Sequence, residues 1–281
     1  MEKERPDMHS DTMERIHEAN LGILTEVDRV CRKHHIHYYL LGGTLLGLIR
    51  NGDFIPWDDD VDILMFREDF EKFMQIYPGE AKEQYPLLNY RELPEFFDFI
   101  DKIADMNVTY KETVYGDDAY YKYRYNHPTL DIFVLDNRPK HFQWHSIWMR
   151  LVYLLAMGHR KHIQYEQHRG LNGVVTWIGS HIGKLFPMKT LAIWYDHLQK
   201  SEKTKSGKYY LSNDMMTLKM WGLMYKAEMF EKERTAVLRG KELQIPYGTE
   251  DILTMQYGDY MQLPPVEQRK PQHLMEIVDA D

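Results

Sequence analysis

Apolar residues recur every three or four positions at Met13, Ile16, Ile23, Leu24, Val27, Val30 and Cys31, which predicts an amphipathic helix over residues 11–33. Asp11 with Glu14 three positions on fits a capping box at its start. The pattern changes at HYYLLGG (37–43), where β-forming and apolar side chains run into a Gly-Gly pair, as a strand does before a tight turn. TLLGLIR (44–50) follows as a short helix. NGDFIPW (51–57), punctuated by Asn-Gly and Pro, is a loop. DVDILMF (60–66) alternates acid and apolar before turning wholly apolar, the pattern of a buried strand with one polar edge. REDFEKFMQIY (67–77) returns to helical spacing.

Further along, FDFIDKIAD (97–105) and NVTYKET (107–113) read as two strands of a hairpin, and TLDIFVLD (129–136) as another strong strand. Residues 141–200 are mostly helical in pattern, GKYYL (207–211) is a strand, and a mixed segment runs on to YGDYMQLPPVEQR (257–269). There is no repeat, low-complexity tract or long linker. These elements predict an α/β (α+β) fold, a mixed sheet flanked by helices over residues 1–140. Residues 141–281 form a mostly helical C-terminal region packed on that core, on the acceptor side or near a membrane.

Composition narrows the class. The 281 residues are 43% apolar, enough for a substantial core and too many for disorder. One cysteine, Cys31, excludes a disulfide framework and a Cys-rich zinc site, and fits a reducing compartment. With 35 basic and 43 acidic residues the net charge is −8, which argues against nucleic acid as partner but leaves room for a local basic pocket. The charged N-terminus lacks a secretory core, and Phe142 to Gly158, the most apolar stretch, is interrupted by Gln143, His145 and Arg150. The expected location is cytoplasmic, with peripheral contact at the inner face of the membrane. The aromatic and basic segment 142–165 suits a helix lying on a membrane as well as a buried one.

The chemistry is concentrated in residues 42–66. Asp58, Asp59, Asp60 and Asp62 lie within five positions, and Asp60 and Asp62 share a strand face. Adjacent carboxylates repel unless a cation or proton lies between them, and oxygen ligands select Mg²⁺ or Mn²⁺. If strands 60–66 and 129–135 pair, Asp131 joins them. Three such acids could hold two metals about 4 Å apart around a phosphoryl centre. The Gly42-Gly43 turn, leading into Thr44 and a helix N-terminus, offers N–H groups to phosphate oxygens. Arg50 and Lys102 could neutralise remaining phosphate charge. Trp57 could stack on a base or plug its loop against the core.

Other clusters are weaker. His34, His35 and His37 fit a helix C-terminus better than a metal site. Tyr120, Tyr121, Tyr123 and Tyr125 suit a tyrosine-rich hairpin, or a cage for a quaternary ammonium.

The order strand, Gly-Gly turn, short helix, loop, acidic strand and later Asp-bearing strand is that of the nucleotidyltransferase superfamily. Tyr39-Leu-Leu-Gly-Gly-Thr-Leu-Leu-Gly through Phe54-Ile-Pro-Trp-Asp-Asp-Asp-Val-Asp-Ile resembles the LicD family, and IPYGTEDILTMQYGDYMQLPP (245–265) resembles its ending. The resemblance spans about residues 15–270. It implies transfer of phosphocholine from CDP-choline, or of phosphoethanolamine or a related CDP-linked polyol phosphate, to a hydroxyl of a cell-surface glycan or lipid-linked sugar precursor. Teichoic acid and lipopolysaccharide are acceptors of that type. CMP leaves as the hydroxyl attacks the β-phosphorus. In this resemblance Asp60 and Asp62 bind metal, Asp131 is a third ligand or the base, and Gly42, Gly43 and Thr44 hold phosphates, with Trp57, Asp58 and Asp59 beside them. One departure is the absence of a second basic residue beside Lys102, for which Arg91, Lys111 and Arg124 are substitutes. A nucleotidyltransferase that releases pyrophosphate, or a scaffold that binds without turnover, would share the same acids.

Overall fold

The computed structural model describes residues 8–91, 93, 96, 98–112, 126–160, 163, 170–202, 206–214, 223–271 and 275–278. In chain order the elements are α1 (Met8–His34), β1 (Tyr39–Leu40), α2 (Gly42–Asn51), β2 (Val61–Phe66), α3 (Arg67–Glu80), β3 (Leu87–Leu88), β4 (Asp101–Ala104), β5 (Thr109–Glu112) and β6 (Thr129–Asn137). Then come α4 (Phe142–Ala156), α5 (Leu171–Gly183), α6 (Met188–Gln199), β7 (Lys208–Leu211), β8 (Tyr225–Lys226), β9 (Arg234–Leu238), β10 (Lys241–Ile245), α7 (Thr249–Tyr257) and β11 (Met275–Val278). This is the expected mixed α/β composition.

The chain divides into two units. The first comprises Met1–Leu87, Lys102–Ile132 and Glu228–Asp281, the second Leu88–Asp101 and Phe133–Ala227. In the first unit strands follow the order β1-β2-β6-β4-β3, so β6 is the neighbour of β2, the pairing on which the expected place of Asp131 depended. β1 and β2 are antiparallel, with Tyr39 opposite Leu64 and Leu40 opposite Ile63. Helix α1 buries Ile16, Ile23, Leu24, Val27, Val30 and Cys31, the periodic stripe read from sequence. Its end is set by His35, at φ 52°, and by the Ile36 N–H donating to the Cys31 carbonyl. In β2, Val61, Ile63, Leu64 and Met65 are all fully buried.

The expected hairpin over residues 97–113 does not form. β4 takes its place between β6 and β3, while β5 pairs antiparallel with β11. The cause is local. The Asp105 carboxylate accepts from the Asn107 N–H, and the Asp105 N–H donates to Pro128. The chain therefore turns away rather than doubling back. A hairpin absent from the sequence expectation does form at β9–β10. Its two-residue turn, Arg239-Gly240, has φ 47° and 80°, the pair of positive values that a type I′ turn demands.

In the second unit, Leu135, Asp136 and Asn137 of β6 pair with β7, and β7 pairs with β8. The helical pattern of residues 141–200 resolves into α4, α5 and α6. Phe99 stacks on Tyr195 at 3.9 Å between ring centroids, and the Tyr195 hydroxyl donates to Ser212.

Candidate active site

Helix α2 begins directly at the Gly-Gly pair, and two carboxylates occupy the space that side chains there would fill. A Cβ on Gly42 would overlap the carboxylate of Asp62, and one on Gly43 would overlap that of Asp58. Gly42 also needs its φ of 57° to reverse the chain between β1 and α2. The pair thus serves first to let acids approach the positive end of the α2 dipole. Thr44 is buried. Its hydroxyl accepts the Asp62 N–H at 2.8 Å, so it pins the strand that carries the acids.

The strand order brings Asp131 to the same place. Burial first, then the like charges of Asp60, Asp131 and Asp58, push Asp62 well above the usual carboxylate range, and Lys102 opposes the shift. Lys102 is buried and its ammonium is paired with the Asp131 carboxylate. Asp58, Asp59 and Asp60 each offer an oxygen within 4.8 Å of the others. A donor set made only of carboxylate oxygens suits a hard divalent cation. The charge crowding around Asp62 is what such an ion would relieve, so the residues fit Mg²⁺ or Mn²⁺.

Asp58, Asp60 and Asp62 open onto a cleft of about 690 Å³, which Gly43, Arg50 and Trp57 also line. Asp59 is buried and is not part of the lining. Arg50 closes α2. Burial lowers its proton affinity, and the neighbouring Arg269 guanidinium lowers it further. Arg269 itself sits 6.0 Å from the Trp57 ring centroid. Two guanidiniums held near each other favour an anion between or beside them.

Several contributors escaped the sequence pattern. From α1, the His17 ring stacks on Phe54 and its Nε2 hydrogen-bonds the Asp58 carbonyl at 2.9 Å, fixing the acidic loop. Burial lowers the His17 pKa, so the ring is held neutral there. Arg239, in the β9–β10 turn, bridges Asp53 and Glu14 and anchors the same loop. The other wall of the cleft is C-terminal: Tyr257, Asp259, Tyr260, Gln262 and Lys270. The YGDYMQLPP stretch had signalled resemblance, but nothing in its spacing linked it to the acids.

Of the proposed substitutes for a second cation, Arg91 is engaged with Asp101 at 3.7 Å and with the Tyr90 ring. The Lys111 side chain and Arg124 lie outside the described residues, as does the tyrosine run at 120–125. His34 faces Glu80 at 3.3 Å, a partner at the helix end.

Comparison with known proteins agrees with this geometry. Residues 35–168 match the LicD/FKTN/FKRP nucleotidyltransferase domain. The chain is 28% identical over 267 residues to the lipopolysaccharide cholinephosphotransferase LicD of Haemophilus influenzae, covering 91% of this chain and 94% of that protein. It is 48% identical over 46 residues to the human ribitol 5-phosphate transferase FKRP, a match confined to 16% of this chain and 9% of that protein. An uncharacterized Rickettsia typhi protein, RT0683, is 38% identical over 69 residues, 25% of this chain and 21% of that protein. The glycine pair, the acidic strand and Asp131 all lie inside the segment that is similar to the LicD/FKTN/FKRP nucleotidyltransferase domain.

Proposed function

We propose that this protein transfers phosphocholine from CDP-choline to a hydroxyl of a cell-envelope glycan precursor. The observation that carries the proposal is that the charges of Asp60 and Asp131 both bear on Asp62, with Lys102 paired to Asp131, beside the glycine-led start of α2. The near full-length similarity to a lipopolysaccharide cholinephosphotransferase supports phosphocholine over a polyol phosphate.

Asp60 and Asp62 would hold a divalent cation, which when bound would offset charge on the donor phosphates. The cleft residues supply the rest. Arg50 and Lys270 attract the diphosphate, and Trp57, with Arg269 behind it, offers an apolar face to the nucleotide. The acceptor oxygen forms a bond to the β-phosphorus while the bond from that phosphorus to the CMP oxygen breaks. The hydroxyl proton passes to a carboxylate oxygen of Asp131, which Lys102 keeps in position.

The test is product analysis with CDP-choline and a lipopolysaccharide or teichoic acid precursor. CMP and a phosphocholine-bearing glycan are expected, and Asp60→Asn, Asp62→Asn and Asp131→Asn should each cost at least about a thousandfold in rate. A triple variant that still released CMP at the normal rate would overturn the site. Pyrophosphate as product would instead favour a nucleotidyltransferase.

A further inference from the structure

Helix α5 is built inside out. The residues it buries are Thr176, Gly179, Ser180 and Gly183, all small. The residues it exposes include Val174, Val175, Ile178 and Ile182, with Leu171 at 77%, Leu185 just beyond its end at 78%, and Trp177 at 54%. A helix of a water-soluble unit buries its large apolar face and exposes its polar one. The small stripe has a packing purpose: Cβ atoms on Gly179 and Gly183 would collide with Leu154 and with the Leu155 backbone of α4. Helices that approach through small residues are the solution favoured where lipid, not water, lies outside.

Helix α4 repeats the theme on its own exposed stripe. Trp144, Ile147, Trp148 and Leu151 follow i, i+3, i+4, i+7 spacing, and Trp144 is 70% exposed. Charge is segregated to match. From 138 to 195 the sequence carries a single acid, Glu166, against eight Lys and Arg residues, although the chain as a whole carries −8. Exposed Lys140, Lys184 and Lys189 lie at or near the ends of these helices. Neither helix is long and apolar enough to cross a membrane. Thirteen residues of α5 extend only about 20 Å, against roughly 30 Å of hydrocarbon.

We propose that α4 and α5 lie in the surface of an anionic lipid bilayer. Their tryptophans and aliphatic side chains enter the head-group boundary, and Lys140, Lys184 and Lys189 meet anionic head groups. The basic, acid-poor flank selects this occupant over a basic or neutral apolar protein surface, and interfacial tryptophan suits the boundary. No residue of the acidic cleft enters the proposal, so it stands or falls apart from the transfer chemistry.

The experiment floats the full chain with vesicles of phosphatidylcholine alone or containing phosphatidylglycerol. The wild type should float with the anionic vesicles and shift its tryptophan emission to the blue. Ile178→Glu with Ile182→Glu, both solvent-facing, should weaken partition at least about tenfold without lowering the unfolding temperature. Lys184→Gln and Lys189→Gln should each weaken it about fivefold on anionic vesicles. A wild type that stays with neither vesicle overturns the proposal. So does a double-glutamate variant that floats unchanged. If the double-glutamate substitution instead abolishes self-association of a chain that never floats, the face belongs to a second copy and the proposal also fails.

Discussion

Replacing three glycines with alanine separates backbone strain from displacement of the acids. Gly42 and Gly52 both have left-handed φ, 57° and 71°, so alanine at either costs about 1–2 kcal/mol of backbone strain. For a chain of this size that corresponds to a fall of about 2–8 °C in unfolding temperature. Their surroundings differ. An added Cβ at Gly52 meets nothing within 4 Å, whereas at Gly42 it takes the place of the Asp62 carboxylate oxygen. Gly43 is the converse case: its φ is ordinary, alanine is a better helix former by roughly 0.5–1 kcal/mol, and its Cβ strikes only the end of the Asp58 side chain. Gly43→Ala should therefore leave stability nearly unchanged. In CMP release from CDP-choline, Gly42→Ala should lose about a hundredfold in kcat/KM, because an ångström of misplacement at a reacting centre costs that much. Gly43→Ala should lose activity through Asp58, and Gly52→Ala should keep it within about threefold while melting as early as Gly42→Ala. Equal activity losses for Gly42→Ala and Gly52→Ala would refute the claim that the glycine pair exists to admit the carboxylates.

Two further outcomes follow from the same electrostatics. Asp62 titrates above its unfolded value, so its ionisation opposes folding: without divalent ions, its own contribution to stability is greatest below about pH 4 and is lost as pH rises from there through the folded pKa, by at most about 1.4 kcal/mol per unit. Asp62→Asn should flatten that decline, raise the neutral-pH unfolding temperature and reduce the upward shift given by Mg²⁺; thermal melts across pH with and without Mg²⁺ check all three. Lys102→Met leaves the largely buried Asp131 carboxylate without its cation, and should cost about 3–5 kcal/mol in denaturant unfolding along with most of the activity, with Lys102→Arg recovering part of each.

Much of the first unit was readable in one dimension, because each of its signals is local. The α1 stripe, the Gly42-Gly43 turn and the acid-then-apolar run of β2 are patterns of a few residues, and period alone assigns their faces. Asp131 could be placed from the same logic, since an isolated acid in an apolar strand must find a neighbour that tolerates it. The cleft's far wall could not. Tyr257, Tyr260 and Lys270 come to the acids across some two hundred residues, and no periodicity encodes which distant loop will close on which strand. The hairpin at Arg239-Gly240 was hidden for a related reason: its left-handed arginine is held by Asp53 and Glu14, partners supplied by the fold rather than by the turn. Helix α5 shows the limit most plainly. Its row of valine, isoleucine and tryptophan reads equally as a core helix or a lipid-facing one, since hydrophobicity is a property of side chains whereas burial depends on what packs against them. Only the packing of its glycines onto α4 decided that the small residues face inward and the large ones face out.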